Sequence, residues 1–157
     1  MFTLREMSTR NKNMIKLFLS TPCYGGVCLD RYATSIIKLQ LELMREGIQL
    51  YLDTTENESL VHRARNVSVG RFMQKTDCDF FMFVDADIDF DPKSIVRLVR
   101  ANRDISVGCY PKKTVMWDQA KAAVEKGDER DMSMLSSSLV INFGATNRPV
   151  EDGMIEI

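Results

Sequence analysis

The chain has 157 residues, 45% of them hydrophobic, and a formal net charge of −1. That length and composition suit one ordinary soluble domain with its own core, and the near-zero charge excludes a global field that would draw in nucleic acid. The single histidine, His62, excludes a histidine-based metal site, and no apolar run is long enough to span a membrane.

Residues 1–13, MFTLREMSTRNKN, are polar and basic with no apolar stretch of signal-peptide length. They read as a flexible tail before one domain covering 14–157. Cys23, Cys28, Cys78 and Cys109 match no zinc pattern and no small disulfide framework. Reduced thiols and a soluble, cytoplasmic protein are therefore expected.

Ile15 to Leu19 predict a first strand, broken by Ser20-Thr21-Pro22-Cys23-Tyr24-Gly25-Gly26. This loop is neither GxGxxG nor a P-loop. It is either a plain connection or a Thr-Pro-x-Tyr cradle for a base or ribose. Asp30 is a candidate N-cap for a helix over 31–46. Tyr32, Ile36, Leu39 and Leu43 form its apolar stripe, widened by Ala33, Ile37, Leu41 and Met44, and Gly47 follows at the C′ position. Ile48 to Leu52 predict a second strand, and Asp53 to Asn57 a polar loop. Asp53 then sits at a strand's carboxyl end, as a ligand contact or as a solvated loop carboxylate.

Ser59 can cap a helix over 60–74, with Leu60, Val61, Ala64, Val67 and Phe72 turned to the core. Its other faces carry His62, Arg63, Arg65, Asn66 and Arg71, where the arginines either solvate the helix or reach a phosphate. Asp77 and Asp79 read as turn residues ahead of the next strand. Asp91 and Pro92 open a helix that packs through Ile95, Val96, Leu98 and Val99. Asp104 to Tyr110 predict a further strand, followed by Lys112 and Lys113. A helix over 115–126 with a half-buried Trp117, a strand over 135–143 and an alternating segment from Val150 to Ile157 complete the chain. Alternating strands and helices define an α/β protein with a largely parallel sheet, whose carboxyl ends share one rim.

The segment CDFFMFVDADIDFDP, Cys78 to Pro92, carries the chemistry. Phe80 to Val84 suit a strand buried on both faces. Asp85, Asp87, Asp89 and Asp91 cannot all be buried unpaired, so the chain leaves the core here or a cation joins the acids. In an extended strand Asp85 and Asp87 would lie on one side, about 6–7 Å apart, and could flank a hard divalent ion. A calcium loop is excluded, because its sixth position is Phe90 instead of Gly and its twelfth is Val96 instead of Glu.

These features together resemble the nucleotide-sugar-binding half of A-type glycosyltransferases. The matching residues are Ala64-Arg65-Asn66, the apolar strand ending in Asp85-Ala86-Asp87, and Asp91-Pro92. Ser20-Thr21-Pro22-Cys23-Tyr24 and Tyr110-Pro111-Lys112-Lys113 are similar to a subgroup found in phages and large DNA viruses. The resemblance implies a three-layer sandwich with a mostly parallel central sheet, the Rossmann-like GT-A fold. It implies transfer of a sugar from a nucleotide-sugar donor, a UDP-sugar, to a glycan or glycoprotein acceptor. Asp87 would coordinate Mn²⁺ or Mg²⁺, Asp85 would touch that metal through water or the ribose, Ala86 would admit the donor close to the backbone, and Arg65 would contact the nucleotide. Thr21, Pro22, Tyr24 and Asp53 would line the base and ribose pocket.

No motif selects a catalytic base among Asp118, Glu125, Asp128, Glu129, Glu151 and Asp152. The chain stops about where members of the family continue into an acceptor half, so a truncated enzyme or a fragment is also expected. One alternative is a catalytically incomplete nucleotide-sugar-binding domain. Another is a haloacid-dehalogenase-type phosphatase with Asp85 as nucleophile. In that family, though, the motif sits on the first strand and not two strands into the chain.

Overall fold

The computed structural model describes residues 14–74, 77–111, 114–138, 150–151 and 154–155. Two compact units divide the chain, Met1–Ser106 and Val107–Ile157. In the first, β1 (Ile15–Cys23) runs through a 3₁₀ turn (Tyr24–Gly26) into α1 (Asp30–Arg45). Then follow β2 (Ile48–Glu56), α2 (Val61–Gln74), β3 (Phe80–Phe83) and α3 (Pro92–Arg100). The three strands form a small open parallel sheet in the order β2-β1-β3. Helical crossovers between successive strands are what a parallel sheet requires, so the mixed α/β class and the parallel pairing agree with the sequence pattern.

Alternate residues of β1 serve two clusters, as the period of a strand dictates. Leu17 and Leu19 join Tyr32, Leu39 and Leu43 of α1, Ile48, Val84, and Ile95 and Val99 of α3 in the main core. Phe18 instead meets Phe72 of α2 and Phe81 of β3, each at 5.8 Å between ring centroids. Phe83 continues that aromatic cluster edge-on to Phe81, at 4.6 Å.

Both long strands outrun their apolar segments. Asp53, Thr54, Thr55 and Glu56 pair in register with Ser20, Thr21, Pro22 and Cys23, so the two stretches expected as loops extend the sheet. The polar side chains are tolerated because they find partners, as in the buried hydroxyl pair Thr55–Ser68 at 3.1 Å. Pro22 is tolerated for a backbone reason. The carbonyls of Lys16 and Ser20 accept from Asp79 and Val84 on the β3 side. Pro22 has the same parity but lies beyond the last β1–β3 pair, Ser20↔Phe83, so its missing N–H breaks no ladder.

The helices bury narrower stripes than the sequence implies. In α1 the buried residues are Tyr32, Ser35, Leu39 and Leu43, while Ile37, Leu41 and Met44 remain exposed. Those three sit too far round the helix to reach the core. In α2, Ala64 and Ser68 face inward with Phe72, whereas Val61 and Val67, and Leu60 just ahead of the helix, are exposed. The small residues let α2 approach the sheet closely. Asp30 is not the cap but the first residue of α1, which places its carboxylate where the helix dipole favours it. Gly47 ends the connection with a left-handed φ of 69°. Asp91 does cap α3, accepting from the Lys93 N–H at 3.1 Å, with Pro92 at the first position.

β3 is short, and it packs on both faces without being fully buried on either: Phe80 and Met82 lie against the main core, and Phe81 and Phe83 join the aromatic cluster. The strand expected over 104–110 does not form, and Ile105 is 85% exposed. Ile105 and Val107, on which that strand was built, are both exposed and give it no buried face to hold it in place.

The second unit contains α4 (Trp117–Glu125), α5 (Met132–Leu135) and an antiparallel pair of β4 (Val150–Glu151) with β5 (Met154–Ile155). Ala120 and Leu135 are its buried apolar residues among those described, while Trp117 is 69% exposed and not half-buried. Leu135 closes a helix where a strand was expected, and 139–143 of that expectation lie outside the described residues, as do Lys112 and Lys113. No helix of the described residues is long and apolar enough to cross a membrane.

Leu39→Ala empties a fully buried position, and urea unfolding should register a loss of about 2–5 kcal/mol. Ile37→Ala, two residues earlier on the outer face, should stay within about 0.5 kcal/mol of the parent.

Candidate functional site

Because the sheet is parallel, the carboxyl ends of β1, β2 and β3 open on one rim, the usual location for ligands in such sheets. Val84 N–H donates to the Ser20 carbonyl at 3.1 Å and ends the β3 ladder. The chain then turns. Ile88 N–H returns to the Asp85 carbonyl at 3.1 Å, so Asp85 opens a tight turn with Ala86 and Asp87 at its centre. Asp85 and Asp87 are therefore turn residues, not same-side residues of an extended strand. A second backbone bond, Leu29 N–H to the Ala86 carbonyl at 2.9 Å, ties this turn to the β1–α1 connection.

The four acids of the run separate by environment. Asp85 accepts from the Arg65 guanidinium at 2.9 Å. Asp87 is exposed on the turn. Asp89 accepts from Ser35 Oγ of α1 at 2.8 Å, and Asp91 caps α3. Ile88 and Phe90, interleaved with them, pack against the core. Apolar anchoring at alternate positions thus holds the acids outward.

Arg65 reaches Asp85 from α2 and lies over the Phe83 ring, 5.3 Å from its centroid. Its Nε is buried and has no hydrogen-bond partner. Asp53 is a mid-strand residue paired with Ser20, not a loop carboxylate. It accepts from Arg71 at 2.9 Å and from Ser20 Oγ at 3.3 Å. Arg71 also bonds Thr55 Oγ1 at 3.3 Å, so it braces β2.

The first loop splits in the same way. Thr21 is wholly buried, and its hydroxyl shares a 2.6 Å hydrogen bond with Tyr32 Oη. It packs beneath the rim and does not line an open pocket. Tyr24, 71% exposed, does stand at the surface, on a turn where Gly25 and Gly26 both take left-handed φ values of 66° and 70°. Pro22 is partly exposed beside them. Cys23 is buried, and burial pushes its thiol up, with smaller contributions from Cys28 and Glu56, so it stays protonated at neutral pH. None of the four cysteines is in a disulfide.

Asp77 and Asp79 lie at the opposite end of the sheet, where Asp77 pairs with Lys16 Nζ at 2.9 Å and Asp79 accepts the Lys16 N–H at 2.7 Å. Of the candidate bases, Asp128 is paired with Arg130 at 2.6 Å, which holds its carboxyl below the usual range. Asp118 lies in the first turn of α4. Ser35 and Tyr32 are the structural residues that a sequence reading undervalues. Their polar atoms sit on the buried stripe of α1, three residues apart, and that spacing is the available signal.

Among the described residues, no group of three or more His, Cys, Asp or Glu side chains is placed to hold a metal ion. Asp85 and Asp87 supply two carboxylates on one turn, an all-oxygen donor set that suits a hard divalent ion sharing its remaining positions with water and phosphate. No protein-family model, curated protein or solved structure matches the chain.

Tyr32→Phe leaves the buried Thr21 hydroxyl unpaired and should cost about 1–3 kcal/mol near pH 7, read by urea unfolding. Burial raises the Tyr32 phenol above its ordinary value, and the bond to Thr21 partly opposes this. In the parent, the unfolded chain then loses this proton first. Stability is complete below the ordinary value of about 10 and falls as pH climbs through the raised one. Tyr32→Phe should flatten that alkaline decline.

Proposed function

We propose that the chain binds a nucleotide-sugar donor at this rim and acts as a metal-dependent glycosyltransferase, with UDP as the nucleotide. The observation that carries the reading is the Asp85–Ile88 turn at the carboxyl end of a parallel strand, with the Arg65 guanidinium 2.9 Å from Asp85. The combination places carboxylates for a cation beside a cation suited to phosphate. Support for a GT-A arrangement comes from β1, whose alternate residues pack against α1 and α3 in one cluster and α2 in another.

In this reading Asp85 and Asp87 hold Mn²⁺ or Mg²⁺. The ion, when bound, offsets the charge that builds on the departing nucleoside diphosphate. Arg65 binds the diphosphate, and its planar fork orients the leaving group. The bond from Leu29 to the Ala86 carbonyl keeps the turn fixed, so the carboxylates need little reorganisation on binding. Tyr24 offers an exposed aromatic face to the base, with Pro22 beside it. Asp53 and Thr21 position the rim from within, through Arg71 and Tyr32. The acceptor is a glycan or a glycoprotein.

Calorimetry with UDP checks the reading. Binding should be about tenfold tighter or more with Mn²⁺ than in EDTA, which is about 1.4 kcal/mol per decade. Asp87→Ala should remove that metal-dependent gain. Equal UDP affinity with and without Mn²⁺, or an unchanged gain in Asp87→Ala, would defeat the assigned role.

A further inference from the structure

We infer that the Arg65–Asp85 ion pair is a gate on the donor site. The guanidinium occupies the carboxylate in place of a metal ion, and it leaves when a phosphate arrives to receive it. This rests on the donor-site reading and adds how that site is kept closed to either ligand alone.

Three observations carry the gate. First, the pair is made through one N–H to one oxygen, Arg65 Nη2 to Asp85 Oδ1 at 2.9 Å, although a guanidinium can present a two-point fork to a carboxylate. Second, Arg65 Nε is buried without an acceptor, so the guanidinium is held in a place that does not satisfy it. A phosphate, with several acceptor oxygens, can take both edges of the fork. Third, the two partners differ in freedom. The Asp85 backbone is pinned by the Ile88 return bond, and its neighbours by Val84 to Ser20 and Leu29 to Ala86. Both side chains are 41% open to solvent, so the difference lies in length: Arg65 is a long side chain on α2 with several rotatable bonds, and Asp85 is a short one on a pinned backbone. The carboxylate is the fixed half and the guanidinium the movable half.

A divalent cation on Asp85 and a guanidinium at 2.9 Å repel each other, so they exclude one another. A phosphate without the cation meets an Arg65 already committed to Asp85. Each ligand alone must break the pair, whereas the two together exchange partners: cation to Asp85, phosphate to Arg65. The coupling is reciprocal, as linkage requires.

The test measures each ligand by itself on the full chain: Mn²⁺ by the loss of free-ion paramagnetic resonance signal, and UDP in EDTA by calorimetry. R65Q releases Asp85 and should bind Mn²⁺ about fivefold tighter or more than the parent. D85N releases Arg65 and should bind UDP in EDTA tighter by a similar factor. R65K keeps the positive charge beside Asp85, so its Mn²⁺ affinity should stay within about twofold of the parent. A merely structural ion pair predicts the opposite sign, weaker binding of both ligands when either partner is removed. Folded R65Q and D85N variants whose single-ligand affinities are equal to the parent's or weaker would overturn the gate and leave the donor site standing. A parent chain that binds neither UDP nor Mn²⁺, even together, would overturn both.

Discussion

Among the described residues, β1 is the strand with a neighbour on each side, and the rest of the first unit depends on satisfying it. Its residues from Leu17 to Thr21 are buried, so every polar atom there needs a partner inside the protein. Ser20 Oγ bonds Asp53, and Arg71 then balances Asp53 from α2. Thr21 bonds Tyr32, which seats the first turn of α1. The Ser20 carbonyl takes the last ladder bond from β3, at Val84, and so sets where the chain leaves the sheet. The position of the acidic turn is thus a consequence of where β1 can no longer pair with β3.

The acidic run illustrates how desolvation sorts like residues into unlike roles. Ile88 and Phe90 pull the segment down onto the core, and the acids between them are left at its surface. Asp89 and Asp91 are then spent on local structure, one on Ser35 and one on the start of α3. Asp85 and Asp87 stay on the turn between the strand end and the apolar anchors. Arg65 brings the positive charge, and Phe83 under its guanidinium helps to keep it there.

Much of this was legible from residue order. The strand-forming runs at Ile15, Ile48 and Phe80, the Tyr32, Leu39 and Leu43 part of the α1 stripe and the Asp91-Pro92 cap are local signals, and each appears where its periodicity or capping chemistry puts it. The extensions of β1 and β2 were not legible, because Asp53, Thr54 and Pro22 carry loop chemistry. They become strand because β1 and β2 pair with each other in register beyond their apolar parts. The same long-range pairing moves Asp53 from a loop into the sheet. The strand expected over 104–110 fails for the converse reason: a weak local pattern that meets no partner strand among the described residues stays irregular.

Residue order alone carries the α/β class, the expectation of a largely parallel sheet, and the stretch that concentrates negative charge at a strand end. Those follow from the hydrophobic period and from the cost of burying unpaired carboxylates. Tertiary structure alone decided which carboxylates stay at the rim and what each one faces. Arg65 lies 20 residues from Asp85, and Ser35 lies 54 from Asp89. No local spacing encodes such pairs, because side chains distant in sequence meet only after the helices have packed on the sheet.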